Sequence, residues 1–571
     1  MSFRDILNSK QNTVAGAAAI LTIAVLLSRV LGLLRDRLLA GTFGASIDLD
    51  IYFAAFRMPD LIYSIIFAGG IIVSFLPLFS EYQKNDKEEG WRLTNYILNL
   101  FAILYFIFFI IFFFLSPEFI STLIGKFTPE NQAKAIALTR LIFVAVFFFG
   151  LSSVFSTILN YFNRFIVYSL APILYNLGII LGTVFLSPHF GIFGPGIGVV
   201  AGAFLHFAIQ VPSAIKYGYK YMPIISLKHP TLVNFFKLVI PRIVASSASQ
   251  IDFLVATFVS SIIGIGAISV FNLSYNLSYL PIGILGVSFA TAVFPLLSKL
   301  WVNEDRQEFY RRFRETFLQV LYISFPIGIL IFILRNQIVE IVYRTGKFDE
   351  SAAAITAACL GLYFLSTFTQ CLVPVILRGY FSIKDTLTPT LIALFYMIFD
   401  ISLFFPFVAL FGGGSRLSFD FFGHYVAITM PAFLVANNFL AQATKAVFGI
   451  GDISNFPLMG LVMIFNLSSL VEFALLFIFF YKKVGDFGVK KIGISFLKIF
   501  IAAAAMGFAA TFALKTSSGF FSTGFVGALS QFVLVCIIAA VVYILAGFVL
   551  KSPELDFLKR YLQKKTNKNE N

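Results

Sequence analysis

Ile97-Leu-Asn-Leu-Phe-Ala-Ile-Leu-Tyr-Phe-Ile-Phe-Phe-Ile-Ile-Phe-Phe-Phe-Leu115 decides the fold. Asn99 is its one amide and no side chain in it is charged. As an α-helix rising ~1.5 Å per residue the stretch reaches about 28 Å, close to the hydrocarbon thickness of a bilayer. Lipid offers no partners to the backbone, so only helices and closed barrels cross it, and a continuous apolar run instead of ten-residue alternation selects the helix. The same pattern recurs from residue 14 to about residue 550 without a long polar interval. Of 571 residues, 59% are hydrophobic, 17% aromatic and 12% charged, where an average soluble domain carries about 25% charged residues. Mean hydropathy is +0.90. Soluble enzymes, nucleic-acid binders and disordered scaffolds are thereby excluded.

Apolar runs place spans near 14–38, 51–80, 94–115, 135–161, 166–187, 192–214, 232–262, 265–298, 314–334, 352–381, 387–411, 457–482, 493–514 and 525–550, with 421–448 as an ambiguous fifteenth. Met1 to Thr13 is polar and leads into an apolar run that continues into Arg29, Arg35 and Arg37, which reads as a first span and not a cleaved signal. Charge decides the ambiguous segment. With a cytoplasmic N-terminus and no crossing at 421–448, 24 Lys and Arg fall in inner segments and 8 in outer ones, the bias that membrane topology imposes. The net charge of +14 is then topological, and no nucleic-acid partner is needed. Residues 410–456 read as an external insertion with a helix lying on the membrane surface.

The chain echoes itself. Met58-Pro59 followed by Ser74-Phe-Leu-Pro77-Leu-Phe-Ser80 resembles Leu280-Pro281 followed by Ala292-Val-Phe-Pro295-Leu-Leu-Ser298, and Tyr161-Phe-Asn-Arg164 with Ala171-Pro172 resembles Tyr380-Phe-Ser-Ile-Lys384-Asp385 with Thr388-Pro389. Both echoes are six spans apart. An even offset predicts halves of one orientation, related by an axis along the membrane normal. The expected organisation is a cytoplasmic N-terminus (1–13), an N-lobe of six spans (14–215), a C-lobe of six (232–482), two further spans (493–550) and a basic cytoplasmic tail (551–571).

A charge near the bilayer centre costs about 2.5–3.5 kcal/mol on insertion scales, so each one asks for a cavity, a partner or a route to the headgroups. Arg29, Arg35 and Arg37 lie on the first span with Asp36; Asp50 and Arg57 open the second; Arg242 and Asp252 are on the seventh; Arg378 closes the tenth; Asp400 and Glu472 are in the eleventh and twelfth. Arg29 and Asp36 share nearly one helical face, with Gly32 between them. Guanidinium groups give planar paired donors suited to phosphate, so arginines around a midplane cavity favour a phosphorylated cargo over a neutral drug. The alternative for Arg35, Arg37 and Arg57 is that they snorkel to the headgroups. Arg140, Lys237, Arg314 and Lys498 sit near span ends and read as interfacial. Asp252, Asp400 and Glu472 are suited to a coupling cation or a proton, or else to pairing with Arg242 or Arg378. Three cysteines without a close pair and four scattered histidines outline no disulfide framework or metal cluster. No GxxxxGK[ST] occurs, which argues against ATP-driven transport within this chain.

Ser28-Arg-Val-Leu-Gly-Leu-Leu-Arg-Asp36, Phe43-Gly44-Ala45, Asp50 and Ala55-Phe-Arg-Met-Pro59 resemble the start of the MurJ (MviN) family of lipid II flippases, within the multidrug/oligosaccharidyl-lipid/polysaccharide exporter superfamily. Leu159-Asn-Tyr-Phe-Asn-Arg-Phe165, Ser249-Gln250-Ile251, Leu285-Gly286-Val287, Thr345-Gly-Lys-Phe348 and Gly379-Tyr380 follow in the family's order, over about residues 14 to 510. The resemblance implies an all-α membrane protein of about fourteen spans, with two six-helix lobes around a cavity and two extra helices forming a lipid-facing groove. It also implies a location in the bacterial cytoplasmic membrane, with both termini cytoplasmic, and transport without catalysis. The implied cargo is undecaprenyl-diphosphate-linked peptidoglycan precursor, and cell-wall synthesis proteins are implied partners.

Arg29, Arg35, Asp36 and Asp50 match the family's cavity charges, with Arg57 beside them. The chain departs from the pattern where Ile62-Tyr63 and Ala68-Gly69 stand in place of an Arg-Arg and an acidic-Gly pair, and where Ser274-Tyr275-Asn276 lacks an arginine. Arg242 and Arg378 are then expected to restore the lost charge. A family-type sodium site would match Asp252 and Asp400, with Phe465 where a hydroxyl is expected and Asn466 beside it. The competing expectations are a flippase for another lipid-linked oligosaccharide, a cation-coupled exporter, or a membrane scaffold for cell-wall enzymes. A glycosyltransferase is a weaker rival, since 410–456 offers only Asp420 and Asp452 as acids.

Overall fold

The computed structural model describes the backbone of residues 14–65, 71–225, 230–412, 416–421, 424–429, 439–449, 455–522 and 524–554, with side chains throughout these ranges except at 14–22, 71–74, 230–246, 416–421, 424–429 and 439. The segment 1–13, Ala68-Gly69, most of the tail 551–571, part of 410–456 and the side chains of Lys237 and Arg242 lie outside the described residues.

The chain is α-helical apart from one two-stranded hairpin among the described residues. Eleven described helices are long and apolar enough to cross a membrane, from Lys87–Leu123 to Phe525–Val549. The remaining expected spans also coincide with helix. The first lies within Val14–Phe43, the seventh within Pro230–Ile263, and the second is broken into Ile47–Ala55, Arg57–Tyr63 and Ile71–Asn85. The tenth is interrupted at Tyr363, between Glu350–Leu362 and Phe364–Ser382. Among its described residues, segment 421–448 has no helix long enough to cross a membrane. It holds the strands Arg416–Phe421 and His424–Thr429 and a ten-residue helix, Phe439–Phe448. The insertion, expected to carry a surface helix, also carries a strand pair, in keeping with the alternation in Phe419-Asp-Phe and His424-Tyr-Val.

Side-chain caps set where the long helices begin. Asp86 accepts from the amides of Glu88 (3.0 Å) and Glu89 (3.2 Å) ahead of Lys87–Leu123, and Asp305 accepts from Glu308 (3.2 Å) ahead of Arg306–Val342, satisfying amides that the helix leaves open. Helix ends are closed by left-handed turns. Asn163 (φ 56°) and Lys384 (φ 63°) occupy the same turn in the two echoed segments. In each, the following amide donates five residues back, Arg164 to Leu159 at 2.8 Å and Asp385 to Tyr380 at 3.0 Å, so the echoed sequence folds the same way twice.

The structure forms two compact units. One comprises Met1–Ser269 with Thr345–Asp349 and Ser418–Ala427; the other comprises Val270–Arg344, Glu350–Leu417 and Ile428–Asn571. The first unit's core is built on Phe75, Phe79, Ile97, Phe143, Phe155 and Ile158. Its helices Phe165–Leu181 and Phe193–Ala208 meet through glycines four apart. A Cβ on Gly178 would lie 2.5 Å from Gly202 Cα, and one on Gly182 would lie 2.6 Å from the Gly194 carbonyl, which is small-residue packing and accounts for the glycine-rich sequence around 191–202. The second unit's core runs through Phe309, Phe313, Phe317, Tyr380 and Phe480 to Val535 and Tyr543 of the last helix.

Candidate functional site

The first helix carries the densest charge, and Asn176 from helix Phe165–Leu181 organises it. Arg35 donates to one oxygen of Asp36 from Nε (2.9 Å) and Nη2 (2.7 Å) and to Asn176 Oδ1 from Nη1 (3.2 Å). Asn176 Nδ2 donates in turn to the Pro172 carbonyl (3.1 Å) and to the Ser28 carbonyl and hydroxyl (3.4 Å each). With its amide oriented by those three acceptors, Asn176 can present only its oxygen to Arg35. Asp36 is 3% exposed, so the carboxylate of this pair is shielded from bulk water. Adjacent residues on a helix diverge, and the long arginine stem is what allows Arg35 to fold back on Asp36. Asp36 shares a helical face with Arg29, which is half-buried about two turns earlier, and its carboxylate accepts from Arg35. Asn176 was missed, because an amide 141 positions away carries no charge to draw the eye.

Arg57 is 9% exposed. Its Nε donates to Thr257 Oγ1 at 2.7 Å, and its guanidinium lies 5.3 Å from the centre of the Phe253 ring. A snorkelling arginine would keep its head in water, so Arg57 belongs to the interior of the first unit. Asp50 is fully buried and pairs with no arginine among the described residues. One of its oxygens accepts from the Gly266 amide (2.6 Å), and the other from the Ser269 amide (2.7 Å) and hydroxyl (2.6 Å). These are donors at the start of helix Ala267–Pro281, where a carboxylate also meets the positive end of the helix dipole. The motif Thr345-Gly-Lys-Phe348 has a structural role. The Lys347 amide donates to the Gly41 carbonyl at 2.8 Å, and Gly44 (φ 72°) approaches so closely that a Cβ there would lie 2.7 Å from the Lys347 carbonyl.

In the second unit Arg378 is half-buried, its guanidinium 5.3 Å from the Phe294 ring centre and 5.8 Å from that of Phe381. It donates no hydrogen bond to a described residue. Asp400 is fully buried and accepts from Ser468 Oγ at 2.8 Å. The hydroxyl sought at Phe465 is thus supplied one turn later by Ser468, while Asn466 accepts from Ser366 and donates to the Val462 carbonyl at 2.6 Å. Asp252 is 2% exposed and belongs to the first unit. Among the described residues no three His, Cys, Asp or Glu side chains gather as a metal centre. Asp400 with Ser468 offers hard oxygen donors of the kind sodium takes.

The sequence model described as "Lipid II flippase MurJ" matches residues 39–415. The chain belongs to the MurJ family. Relatives include the probable lipid II flippase MurJ of Buchnera aphidicola subsp. Schizaphis graminum, 30% identical over 408 residues, covering 69% of this chain and 78% of the relative. The lipid II flippase MurJ of Burkholderia cenocepacia is 27% identical over 413 residues, covering 70% and 80%. A solved lipid II flippase MurJ in an inward closed conformation superposes with a TM-score of 0.72 at 26% identity, over 95% of this chain and 99% of the other. An inward-facing multidrug MATE transporter superposes with a TM-score of 0.57 at 16% identity, over 80% and 96%; at that identity the likeness is one of fold. The arginines of the first span and Asp50 therefore sit on a MurJ scaffold, that of a multi-pass transport protein.

Proposed function

We propose that the chain moves lipid II, the undecaprenyl-diphosphate-linked peptidoglycan precursor, from the inner to the outer leaflet by alternating access and without covalent chemistry. The observation that carries this reading is the family match over residues 39–415 together with the superposition on a MurJ structure over nearly the whole chain. The protein resides in the bacterial cytoplasmic membrane with both termini cytoplasmic, the orientation that the Lys and Arg bias supports.

Arg35 and Arg29 engage the diphosphate. Held by Asp36 and Asn176, the Arg35 guanidinium is preformed, so cargo binding does not have to order a long flexible side chain. A diphosphate competes with Asp36 for Nε and Nη2 while Asn176 retains Nη1; release restores the Asp36 pair. The cycle is then an exchange of anionic partners at one guanidinium, and the two access states differ in which partner is present. Arg57, Arg242 and Arg378 contribute further positive charge for the cargo, offsetting the cations absent at Tyr63 and Asn276. Asp50 acts as a positioning residue that holds the start of helix Ala267–Pro281. Coupling to sodium or to protons runs through Asp252 and Asp400, with Ser468 beside Asp400 as a further oxygen donor.

The test is outer-leaflet accessibility of lipid II in bacteria depleted of their own flippase and expressing this chain, with Arg29→Ala and Arg35→Ala at matched membrane levels. Accessibility restored by the native chain and not by the variants supports the reading. A well-inserted native chain that leaves accessibility low transfers the assignment to another lipid-linked glycan or to a non-transporting role.

A further inference from the structure

The first unit contains a cavity of about 460 Å³ that the flippase reading does not use, and it is lined by Phe56, Asp60, Tyr63, Phe149, Tyr168 and Tyr175. Its walls are aromatic and ordered. Tyr63 stands edge-on to Phe149 with ring centres 6.0 Å apart, and Phe149 edge-on to Tyr175 at 4.9 Å. Among the described lining residues the one carboxylate is that of Asp60, and His206 faces the Ser152 hydroxyl with its Nδ1 at 2.7 Å. The Asp60 carboxylate accepts no hydrogen bond from a described residue. Arg57, one turn earlier, donates to Thr257 and lies over Phe253, and it acts on the Asp60 charge through space without a direct ion pair. The hydroxyls of Tyr168 and Tyr175 likewise donate no hydrogen bond to a described residue, whereas that of Tyr63 is engaged with Ser153 at 3.2 Å.

A carboxylate that no described residue hydrogen-bonds or ion-pairs, inside a membrane-embedded unit, favours a cation beside it. An anion is repelled by the carboxylate, and a neutral polyol leaves it without a directly paired cation. A bare metal ion needs several oxygens converging within about 2.0–2.6 Å, and a cavity many times the volume of a water molecule, about 30 Å³ in the liquid, with ring-lined walls does not provide them. An organic ammonium group satisfies both features at once: its charge pairs with the carboxylate, and its polarised C–H and N–H bonds lie against the negative faces of the rings. We propose that this cavity is a binding site for an organic ammonium group, with Asp60 as the countercharge and Tyr175, Phe149 and Tyr63 as the aromatic wall. The site stands independently of the cargo's identity, since the ammonium can belong to an amine on the transported head group or to a free small cation.

The experiment uses the full chain in lipid nanodiscs and two probes of one shape, choline and its uncharged carbon isostere dimethylbutanol, titrated by calorimetry or ligand-observed NMR. Choline is expected to bind about tenfold more tightly than the isostere. Asp60→Asn should abolish that difference. Tyr175→Phe, which keeps the ring, should bind choline within about threefold of the native chain, and Tyr175→Leu about tenfold more weakly. Equal binding of the two probes, or choline binding undiminished in Asp60→Asn, overturns the proposal. If Asp60→Asn does not fold, the probe ratio in the native chain and the loss with Tyr175→Leu decide it. Competition of choline with lipid-linked cargo carrying a free amine, but not with the same cargo N-acetylated, assigns the site to the cargo; competition with neither assigns it to a free organic cation. Because choline binding is read without transport, its failure is separable from failure of the flippase reading.

Discussion

Asp50 accepts two hydrogen bonds from Ser269, from its amide at 2.7 Å and from its hydroxyl at 2.6 Å. With the Gly266 amide on the other oxygen, three donors converge on a fully buried carboxylate. Asp50→Ala leaves them unanswered, and each buried donor stranded costs about 1–3 kcal/mol. A clear fall in the thermal midpoint in detergent is expected, with Asp50→Asn intermediate because its NH2 must face one of the donors. A midpoint unchanged in Asp50→Ala would show that water replaces the carboxylate at no cost.

Arg35 makes directional contacts to Asp36 and Asn176, which a lysine ammonium cannot reproduce in one plane. Arg35→Lys is therefore expected to lose flipping by about tenfold or more, since hydrogen bonds to charged groups are each worth about 1.5–3 kcal/mol. Asn176→Leu should lower flipping through the loss of Arg35 positioning, and that loss should vanish in the Arg35→Ala background. Additive losses in the double variant would contradict the coupling.

Gly178 meets Gly202 and the Gly198 carbonyl where a methyl group has no room. Gly178→Ala is expected to destabilise the first unit by about 1–3 kcal/mol through overpacking. Gly493, whose Cβ would meet nothing within 4 Å, is the matched control, and Gly493→Ala should leave the midpoint in place or raise it. Equal behaviour of the two variants would rule out close helix packing at Gly178.

Lys483 Nζ lies 2.6 Å from Asp385 Oδ2 in the turn before helix Leu387–Phe411. Burial alone would raise the Asp385 carboxyl, but hydrogen bonds from Lys483 and Thr388 outweigh it and hold the group below the usual carboxylate range. A depressed folded value means that the stabilisation is complete above the unfolded value of about 3.9 and disappears as pH falls through the folded one. Stability near pH 7 should therefore be insensitive to small pH changes at this pair, and the gap between native and Asp385→Asn should narrow on acidification below about pH 4. A gap that persists in acid would place the effect of Asp385 in packing.

Sequence alone determined the membrane class and the helical spans, because lipid imposes its conditions on each segment separately: about 20 apolar residues close their own hydrogen bonds whatever the rest of the chain does. It also determined which residues are too expensive to be idle, and Arg35, Asp36 and Asp50 are all engaged. The partners of those charges were decided by tertiary structure. Asp50 meets Gly266 across 216 positions, Arg57 meets Thr257 across 200, and Arg35 meets Asn176 across 141. Each of those partners is a neutral residue or a backbone amide that no hydropathy or charge pattern marks. The aromatic cavity around Asp60 was hidden for the same reason, since rings from three helices become a wall only when the helices pack. Periodicity along one helix is a local property that composition records; a hydrogen bond between helices depends on packing that is fixed only when the whole unit folds.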